Sequence, residues 1–282
     1  MNESPTETAL SRATIRWSLS RATPIADTPT SILYKVEQNG QKSAAVKILK
    51  PGAGDAEKRG LDLLAWYCGE GAVTVFDATD DAVFMEWVEG PTLGEPARNG
   101  RDDDATEALG HVVQLLHKPR ETTPEKLVPL RQHFESLFTA DRSAWPPTAR
   151  DLYARSVGIA LGLFDRPAAV VPLHGDLHHD NILSSGRGWL AIDPKGLLGD
   201  PAYEVANAFL NPAGATKVAA DPVRIAHMAD SFAARLGFNR KRILAWASAH
   251  AALSACWDLE AGRSIAPSLA ILPLLLAAYD LS

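Results

Sequence analysis

The chain has 282 residues, of which 46% are hydrophobic and 22% charged, and its net charge is −6. This length suits one large domain or two lobes, and the composition excludes an intrinsically disordered chain. The acidic balance disfavours a nucleic-acid-binding protein, and two cysteines are too few for a disulfide scaffold. The N-terminus is unlike a signal peptide, and the apolar run at residues 265–279 is too short to cross a bilayer. We therefore expect a cytoplasmic protein without membrane contact.

The first third of the chain has the pattern of a small antiparallel sheet with one helix. We expect a flexible tail over the polar residues 1–12 and a loop over residues 21–30, which hold two prolines and several threonines. Alternating and short apolar runs predict five strands, over residues 14–20, 32–37, 44–49, 73–76 and 82–88. The turn signal Asn39-Gly40 joins the second strand to the third, and a helix over residues 55–68 follows the third strand.

After the Gly-Pro pair at residues 90–91 the sequence becomes mostly helical. Helical periodicity predicts helices over residues 104–117, 130–138, 149–164, 203–210, 223–236, 240–259 and 268–279. A short strand, a polar loop at residues 174–181 and a small hairpin interrupt these helices. This order predicts an α+β fold of two lobes, residues 13–88 and residues 89–282, with the ligand site in the cleft between them.

The polar loop has the sequence HGDLHHDN, and a hairpin leads from its last residue to Asp193. The hairpin folds Asn181 and Asp193 beside each other, and an amide oxygen next to a carboxylate is a donor set that suits Mg²⁺. Asp176 projects from the same loop and is free to accept the proton of a substrate hydroxyl. This is the layout of phosphoryl transfer from ATP, and the loop keeps the His, Asp, Leu and Asn of the kinase pattern H-R-D-L-x-x-x-N.

Other interpretations of this loop remain open. His174 is expected to hold the loop as a structural histidine. The His and Asp side chains of the loop could instead bind Zn²⁺ in a metallohydrolase. A nucleotide-binding module without catalysis is a further alternative, but Lys47, Asp176, Asn181 and Asp193 together form the set that an active kinase needs.

The third strand carries the sequence AAVK, where kinases have V-A-I-K. By alternation Ala45 and Lys47 share a face, so the small side chain leaves room for adenine and the ammonium group meets the phosphates. Glu57 lies on the apolar stripe of the next helix and is therefore expected to face inward and pair with Lys47. The backbone from Glu86 to Val88 is expected to pair with the adenine edge.

The loop that should cover the phosphates lacks glycine. Protein kinases use G-x-G-x-x-G at this place, but residues 21–31 hold no glycine. Hydroxyl groups of Thr28, Thr30 or Ser31 and backbone N–H groups would have to contact the phosphates instead. This departure favours a kinase of small molecules over a protein kinase.

The sequence resembles the aminoglycoside phosphotransferases, most closely the aminoglycoside/hydroxyurea resistance kinases of the streptomycin 6-kinase type. The motifs that carry the resemblance are GEGAV at residues 69–73, HGDLHHDNIL at 174–183, IDPKG at 192–196, GDPAYE at 199–204 and SACWDLE at 254–260. The resemblance implies a protein-kinase-like fold, ATP and Mg²⁺ as cofactors, and a small hydroxyl compound as acceptor. Cys256 and Asp258 depart from the family pattern. This departure concerns the identity of the acceptor more than the phosphoryl-transfer chemistry.

The acceptor pocket is predicted from two segments. One follows the Asp-Pro-Lys-Gly motif, and the other is the SACWDLE motif at residues 254–260. Its candidate residues are Glu204, Asn207, Trp257, Asp258 and Glu260. Carboxylates and an indole favour a cationic, hydroxyl-rich compound through charge-assisted hydrogen bonds and cation–π contact. We therefore expect an aminoglycoside such as streptomycin as the small-molecule partner, and the family resemblance also implies a hydroxyurea-like compound as a candidate. A housekeeping kinase of a small metabolite is the alternative.

Overall fold

The computed structural model describes residues 5–40, 42–166 and 168–282, and it has the two-part α+β architecture that the sequence predicts. The N-terminal part consists of helix α1 (Pro5–Arg16), strands β1 (Leu19–Asp27), β2 (Ser31–Gln38) and β3 (Lys42–Leu49), helix α2 (Asp55–Trp66), and strands β4 (Val75–Ala78) and β5 (Ala82–Glu86). The five strands form one antiparallel sheet in the order β1-β2-β3-β5-β4. β3 therefore lies at the centre of the sheet.

The two faces of β3 contact different parts of the molecule. Val46 and Ile48 pack with α1 in a small core, whereas Ala45 belongs to the main core that continues into the C-terminal part. Successive side chains of a strand point to opposite faces, so Lys47 faces the same way as Ala45. The central strand thus directs its lysine toward the helical part of the protein.

The start of the chain corrects two predictions. Residues 5–16 form a helix rather than a flexible tail and the start of a strand, and residues 1–4 of the expected tail lie outside the described residues. Ala9, Ala13 and Trp17 recur every four residues and are buried, whereas Ile15 is 82% exposed, which is the pattern of a helix face. β1 then extends through most of the segment that was expected to be a loop.

The C-terminal part begins with helices α3 (Gly94–Arg98) and α4 (Asp102–Leu116). It continues with β6 (Val128–Pro129), α5 (Leu130–His133), α6 (Glu135–Thr139), α7 (Arg150–Asp165), β7 (Val171–Leu173), β8 (Ile182–Ser185), β9 (Gly188–Ala191) and β10 (Leu197–Gly199). It ends with α8 (Thr216–Ala219), α9 (Pro222–Leu236), α10 (Arg240–Glu260) and α11 (Ala266–Asp280). Short 3₁₀ helices cover Arg142–Ala144, Pro147–Ala149, His179–Asn181 and Pro201–Leu210.

α10 is the central helix of this part and is buried on most of its surface between α7, α9, α11 and the 3₁₀ helix Pro201–Leu210. β10 pairs antiparallel with β7 and parallel with β6, and β8 pairs with β9 in a hairpin. These strands hold the two ends of the polar loop that carries the candidate site. Within the described part of the chain, no helix combines the length and apolar character that crossing a bilayer requires.

Candidate active site

His174 is completely buried and links the polar loop to the IDPKG segment at residues 192–196. Its Nε2 lies 2.9 Å from the carbonyl oxygen of Ile192, and its Nδ1 accepts the N–H of Asp176 at 3.3 Å, so the proton is assigned to Nε2. The N–H of Lys195 donates to the carbonyl of His174 at 2.7 Å. Burial lowers the pKa of His174, which keeps the ring neutral and suits the structural role that the sequence predicts.

Glu204 binds the backbone at the start of the polar loop. Its carboxylate accepts the N–H groups of His174 and Gly175, each at 2.9 Å, and lies 3.0 Å from Nε2 of His117. Burial alone would raise the pKa of Glu204, but the hydrogen bond from His117 and the other contacts lower it, so the carboxylate is ionised. Gly175 has φ +78°, and a Cβ there would lie 2.6 Å from the side chain of Leu197.

This position corrects the prediction that Glu204 contacts the acceptor. Glu204 is buried, and both of its oxygens bind groups of the protein. The reason is the 3₁₀ helix Pro201–Leu210, in which residues three apart lie on one face. Glu204 and Asn207 therefore both point at the polar loop.

Asp176 has a fixed carboxylate that is 26% exposed. Asn207 Nδ2 donates to Asp176 Oδ1 at 2.8 Å, and Lys195 Nζ lies 3.3 Å from Asp176 Oδ2. Asn211 Nδ2 donates to Asn207 Oδ1 at 3.0 Å, which orients the Asn207 amide with its nitrogen toward Asp176. Asn207 thus contacts the candidate base itself, whereas the sequence analysis assigned it to the acceptor.

Asn181 and Asp193 lie at the two ends of the hairpin. The N–H of Ile192 donates to the carbonyl of Asn181 at 3.0 Å, which brings the two ends together. Asn181 Nδ2 donates to the carbonyl of Asp176 at 2.9 Å, so its amide oxygen is the atom left for a ligand. Asp193 adopts a left-handed backbone conformation, with φ 59°. An amide oxygen and a carboxylate oxygen fit Mg²⁺, which takes few protein ligands and uses substrate phosphates for others.

The structure does not gather the loop's histidines around a metal. In the described ranges, no three His, Cys, Asp or Glu side chains are grouped as they would be to hold a metal ion. His174 and His178 instead use ring nitrogens to accept loop N–H groups, and His179 is buried. The Zn²⁺ alternative therefore finds no ligand cluster in these residues.

Lys47 connects the sheet to Asp193 at the end of the hairpin. Its Nζ forms an ion pair with Glu57, as predicted, and lies 2.9 Å from Asp193 Oδ1. Thr30 Oγ1 donates to the other oxygen of Glu57 at 3.2 Å. Burial lowers the pKa of Lys47, but the carboxylates of Asp193 and Glu57 outweigh this effect and raise it, so the ammonium keeps its charge.

The predicted adenine side is formed by β3 and the end of β5. Ala45 is buried and pairs in register with Met85. Glu86 ends β5, its N–H donates to the carbonyl of Thr74, and its carboxylate binds Arg187. The side chain of Glu86 is therefore occupied, and Val88 lies two residues past the end of the strand. This leaves only backbone groups for the contact that the sequence predicts here.

The predicted acceptor residues on α10 have different surroundings. The Trp257 ring contacts the His133 ring edge-on, with 5.0 Å between the ring centroids. Burial lowers the pKa of His133 to about 4, although the charge of Asp176 opposes this shift. Asp258 binds Arg263 at 2.8 Å, so its charge is compensated within the protein. Glu260 is exposed and accepts a hydrogen bond from a serine hydroxyl. Trp257 and Glu260 are thus the better placed of the three to meet a cation.

Three further residues of the site, Lys195, His117 and His133, were not predicted from the sequence. The signal for Lys195 was present, because it belongs to the Asp-Pro-Lys-Gly motif beside Asp193. No comparable signal exists for His117, which follows the end of α4, or for His133, the last residue of a four-residue helix. Their contacts depend on the tertiary structure.

Comparisons with known proteins find a matching family and several similar kinases. A family model described as aminoglycoside/hydroxyurea antibiotic resistance kinase matches residues 16–262. The chain is 37% identical to a streptomycin 3″-kinase of Klebsiella pneumoniae, across 88% of this chain and 91% of that protein. It is 28% identical to a streptomycin 6-kinase of Streptomyces griseus, across 92% of this chain and 85% of that protein. The fold matches an aminoglycoside phosphotransferase in ternary complex with ADP and hygromycin B, with a TM-score of 0.67, 12% identity and coverage of 96% and 97%.

Proposed function

The chain belongs to the aminoglycoside/hydroxyurea antibiotic resistance kinases, and we propose that it transfers the γ-phosphoryl group of ATP to a hydroxyl of a cationic aminoglycoside of the streptomycin class. The observation that carries the proposal is the arrangement around Asp176. Its carboxylate is fixed by Asn207 and Lys195, while Lys47 joins Glu57 to Asp193. Because ATP is the donor, the protein acts in the cytoplasm.

The nucleotide binds between the N-terminal part, which begins with α1 and ends near residue 88, and the C-terminal part, residues 89–282. The space beside Ala45 takes adenine, the backbone from Glu86 to Val88 pairs with its edge, and Lys47 binds the α- and β-phosphates. This assignment is supported by the small buried alanine and the charged lysine on one face of β3.

The chemistry is an in-line transfer. The acceptor oxygen bonds to the γ-phosphorus while the bond to the β–γ bridging oxygen breaks, and the hydroxyl proton passes to Asp176. Asn181 and Asp193 would hold Mg²⁺, which neutralises phosphate charge when it is bound. Asn207 keeps Asp176 in one orientation, so the carboxylate is aligned before the acceptor arrives.

The acceptor binds on the side of Asp176 where Trp257 and His133 meet. The indole supplies an aromatic face and Glu260 an exposed carboxylate, both of which suit guanidinium or amine groups. Asp258 contributes less, because Arg263 already compensates its charge. The names of the two streptomycin kinases to which the chain is similar support the same acceptor class.

The test is a phosphorylation assay with purified protein and Mg-ATP. Streptomycin, hydroxyurea and a neutral cyclitol are compared by ADP release, and mass spectrometry of the product locates the phosphate at the 3″ or the 6 position. We expect streptomycin to be phosphorylated and the neutral cyclitol not to be, with the Asp176→Asn variant as the inactive control. Equal turnover of the neutral cyclitol would favour the metabolite kinase, and no ADP release with any acceptor would contradict the proposal.

A further inference from the structure

The backbone around Lys195 is clamped between α2 and the polar loop. A Cβ at Gly60 of α2 would lie 2.1 Å from the carbonyl oxygen of Pro194, so only glycine allows the helix to come this close. Gly196 has φ +73°, and a Cβ there would meet the backbone of Arg59 at 3.1 Å. On the other side, the N–H of Lys195 donates to the carbonyl of His174. The direction in which the Lys195 side chain leaves the backbone is therefore fixed.

This fixed direction brings the ammonium group to the candidate base. Lys195 Nζ lies 3.3 Å from Asp176 Oδ2, and the side chain is 51% exposed. Lys195 is also two residues from Asp193, which binds Lys47. The half-exposed ammonium group of Lys195 thus lies beside Asp176, the proposed base, and near Asp193, the proposed metal ligand.

A cation beside Asp176 would complement the negative charge of the γ-phosphoryl group. The turn between β1 and β2, residues 28–30, contains no glycine, so it lacks the usual run of closely approaching N–H groups over the phosphates. Lys47 is 15% exposed and already bound to two carboxylates. Other groups must therefore stabilise the charge on the phosphoryl group as it moves toward the acceptor. Lys195 is half-exposed and lies next to Asp176.

We propose that Lys195 is a catalytic residue whose ammonium group binds the γ-phosphoryl group during its transfer; this inference rests on the phosphotransferase function proposed above. The acceptor oxygen bonds to the γ-phosphorus, the bond to the bridging oxygen of ADP breaks, and the hydroxyl proton goes to Asp176. Lys195 keeps its protons throughout. An ammonium group has three N–H donors, so it can bind a phosphoryl oxygen and Asp176 at the same time.

The experiment compares Lys195→Met and Lys195→Arg with Lys217→Met, which removes an exposed lysine of α8 as the matched control. Calorimetry measures the binding of Mg-ADP alone and of Mg-ADP with aluminium fluoride, a mimic of the phosphoryl group in transfer. For Lys195→Met we expect unchanged Mg-ADP affinity and fluoride-complex affinity weaker by about 100-fold, the usual effect of losing a group that stabilises the transition state. The affinity of Lys195→Arg for the fluoride complex should fall by about tenfold or less, because arginine keeps the positive charge.

Activity is the second measurement. With streptomycin as acceptor, kcat of Lys195→Met should fall by about 10²- to 10³-fold while KM for ATP changes little. Thermal unfolding of each variant reports folding, and the arginine variant tests the charge if the methionine variant is unstable.

Two results would overturn the inference: a Lys195→Met variant that binds the fluoride complex as tightly as the native protein does, or one that loses Mg-ADP affinity to the same degree. Failure of the proposed function shows differently. In that case the native protein phosphorylates no aminoglycoside, while the fluoride titration still reports whether Lys195 binds the phosphoryl mimic.

Discussion

Replacing Glu204 by glutamine tests how the polar loop is held in place. The carboxylate accepts the N–H groups of His174 and Gly175, one at each oxygen. Glutamine has nearly the same shape but one oxygen and one NH₂ group, so one of the two backbone N–H groups would face a donor. The negative charge beside His117 is lost as well. The change therefore removes a hydrogen-bond acceptor and a charge without opening a cavity.

The expected loss of stability follows from these contacts. A hydrogen bond to a charged group contributes about 1.5–3 kcal/mol, and leaving a buried N–H without a partner costs about 1–3 kcal/mol. The free energy of unfolding should thus fall by roughly 3–5 kcal/mol, which for a chain of this size lowers Tm by roughly 6–10 °C. Gly175 directly precedes Asp176, so kcat should fall too, because small displacements of a catalytic group are costly.

The assay is thermal and urea unfolding of the native protein, Glu204→Gln and Glu125→Gln, the last being an exposed control. The pKa of Glu204 is lowered in the folded protein, so the stability it contributes is present above the ordinary carboxyl pKa of 4.5 and is lost as pH falls through the lowered value. The difference between the native protein and Glu204→Gln should therefore shrink in acid below about pH 4.5. A Tm within 2 °C of native at pH 7, or a difference that grows in acid, would refute the role of Glu204, because 2 °C corresponds to roughly one kcal/mol, well below the expected loss.

Three further predictions concern ligands. Asp176→Asn should leave ATP affinity nearly unchanged in calorimetry and lower turnover by about 10²- to 10⁴-fold; near-native turnover at saturating substrate would exclude it as the base. Asp193→Ala should remove the Mg²⁺ dependence of nucleotide binding in the same titration, and native metal dependence would exclude it as a ligand. Glu260→Ala should raise KM for streptomycin by about three- to fivefold with little change in kcat, because it removes ground-state binding by an exposed charge. Asp258→Ala should raise it less, since Arg263 compensates Asp258; equal KM values for both variants and the native protein would remove these carboxylates from the acceptor site.

The surroundings of Lys47 could be predicted because they depend on local periodicity. β3 alternates strictly between the small core under α1 and the main core, so the shared face of Ala45 and Lys47 follows from a period of two. Glu57 lies in the first turn of α2 on the stripe that faces the sheet, and its ion pair with Lys47 follows from a period of 3.6. Both contacts need only one element and its immediate neighbour.

The first helix could not be predicted in the same way. The buried face of α1 consists of Ala9 and Ala13 followed by Trp17, and alanine contributes little hydrophobic contrast to a pattern. The next segment, β1, is exposed over nearly its whole length, so it shows no alternation either. Its strand conformation comes from pairing with β2, which is a tertiary contact.

The roles of Glu204 and Asn207 depended on the type of helix. Apolar spacing indicated a helix here, but not that it is a 3₁₀ helix beginning at Pro201. In a 3₁₀ helix residues 204 and 207 share one face, and that face lies against the polar loop. Two residues that looked like acceptor ligands in the sequence therefore support the loop backbone and the base.

The charges of the site explain why nucleotide binding should require a divalent cation. Three carboxylates, Glu57, Asp176 and Asp193, meet two ammonium groups, Lys47 and Lys195, so negative charge is in excess before any phosphate enters. Polyphosphate would add to this excess, and like charges at close range oppose binding strongly in a partly buried cleft. A divalent cation held by Asn181 and Asp193 would reverse the balance. This is why loss of the Asp193 carboxylate is expected to change the metal dependence of binding, whereas loss of Lys195 is expected to change the stabilisation of the moving phosphoryl group.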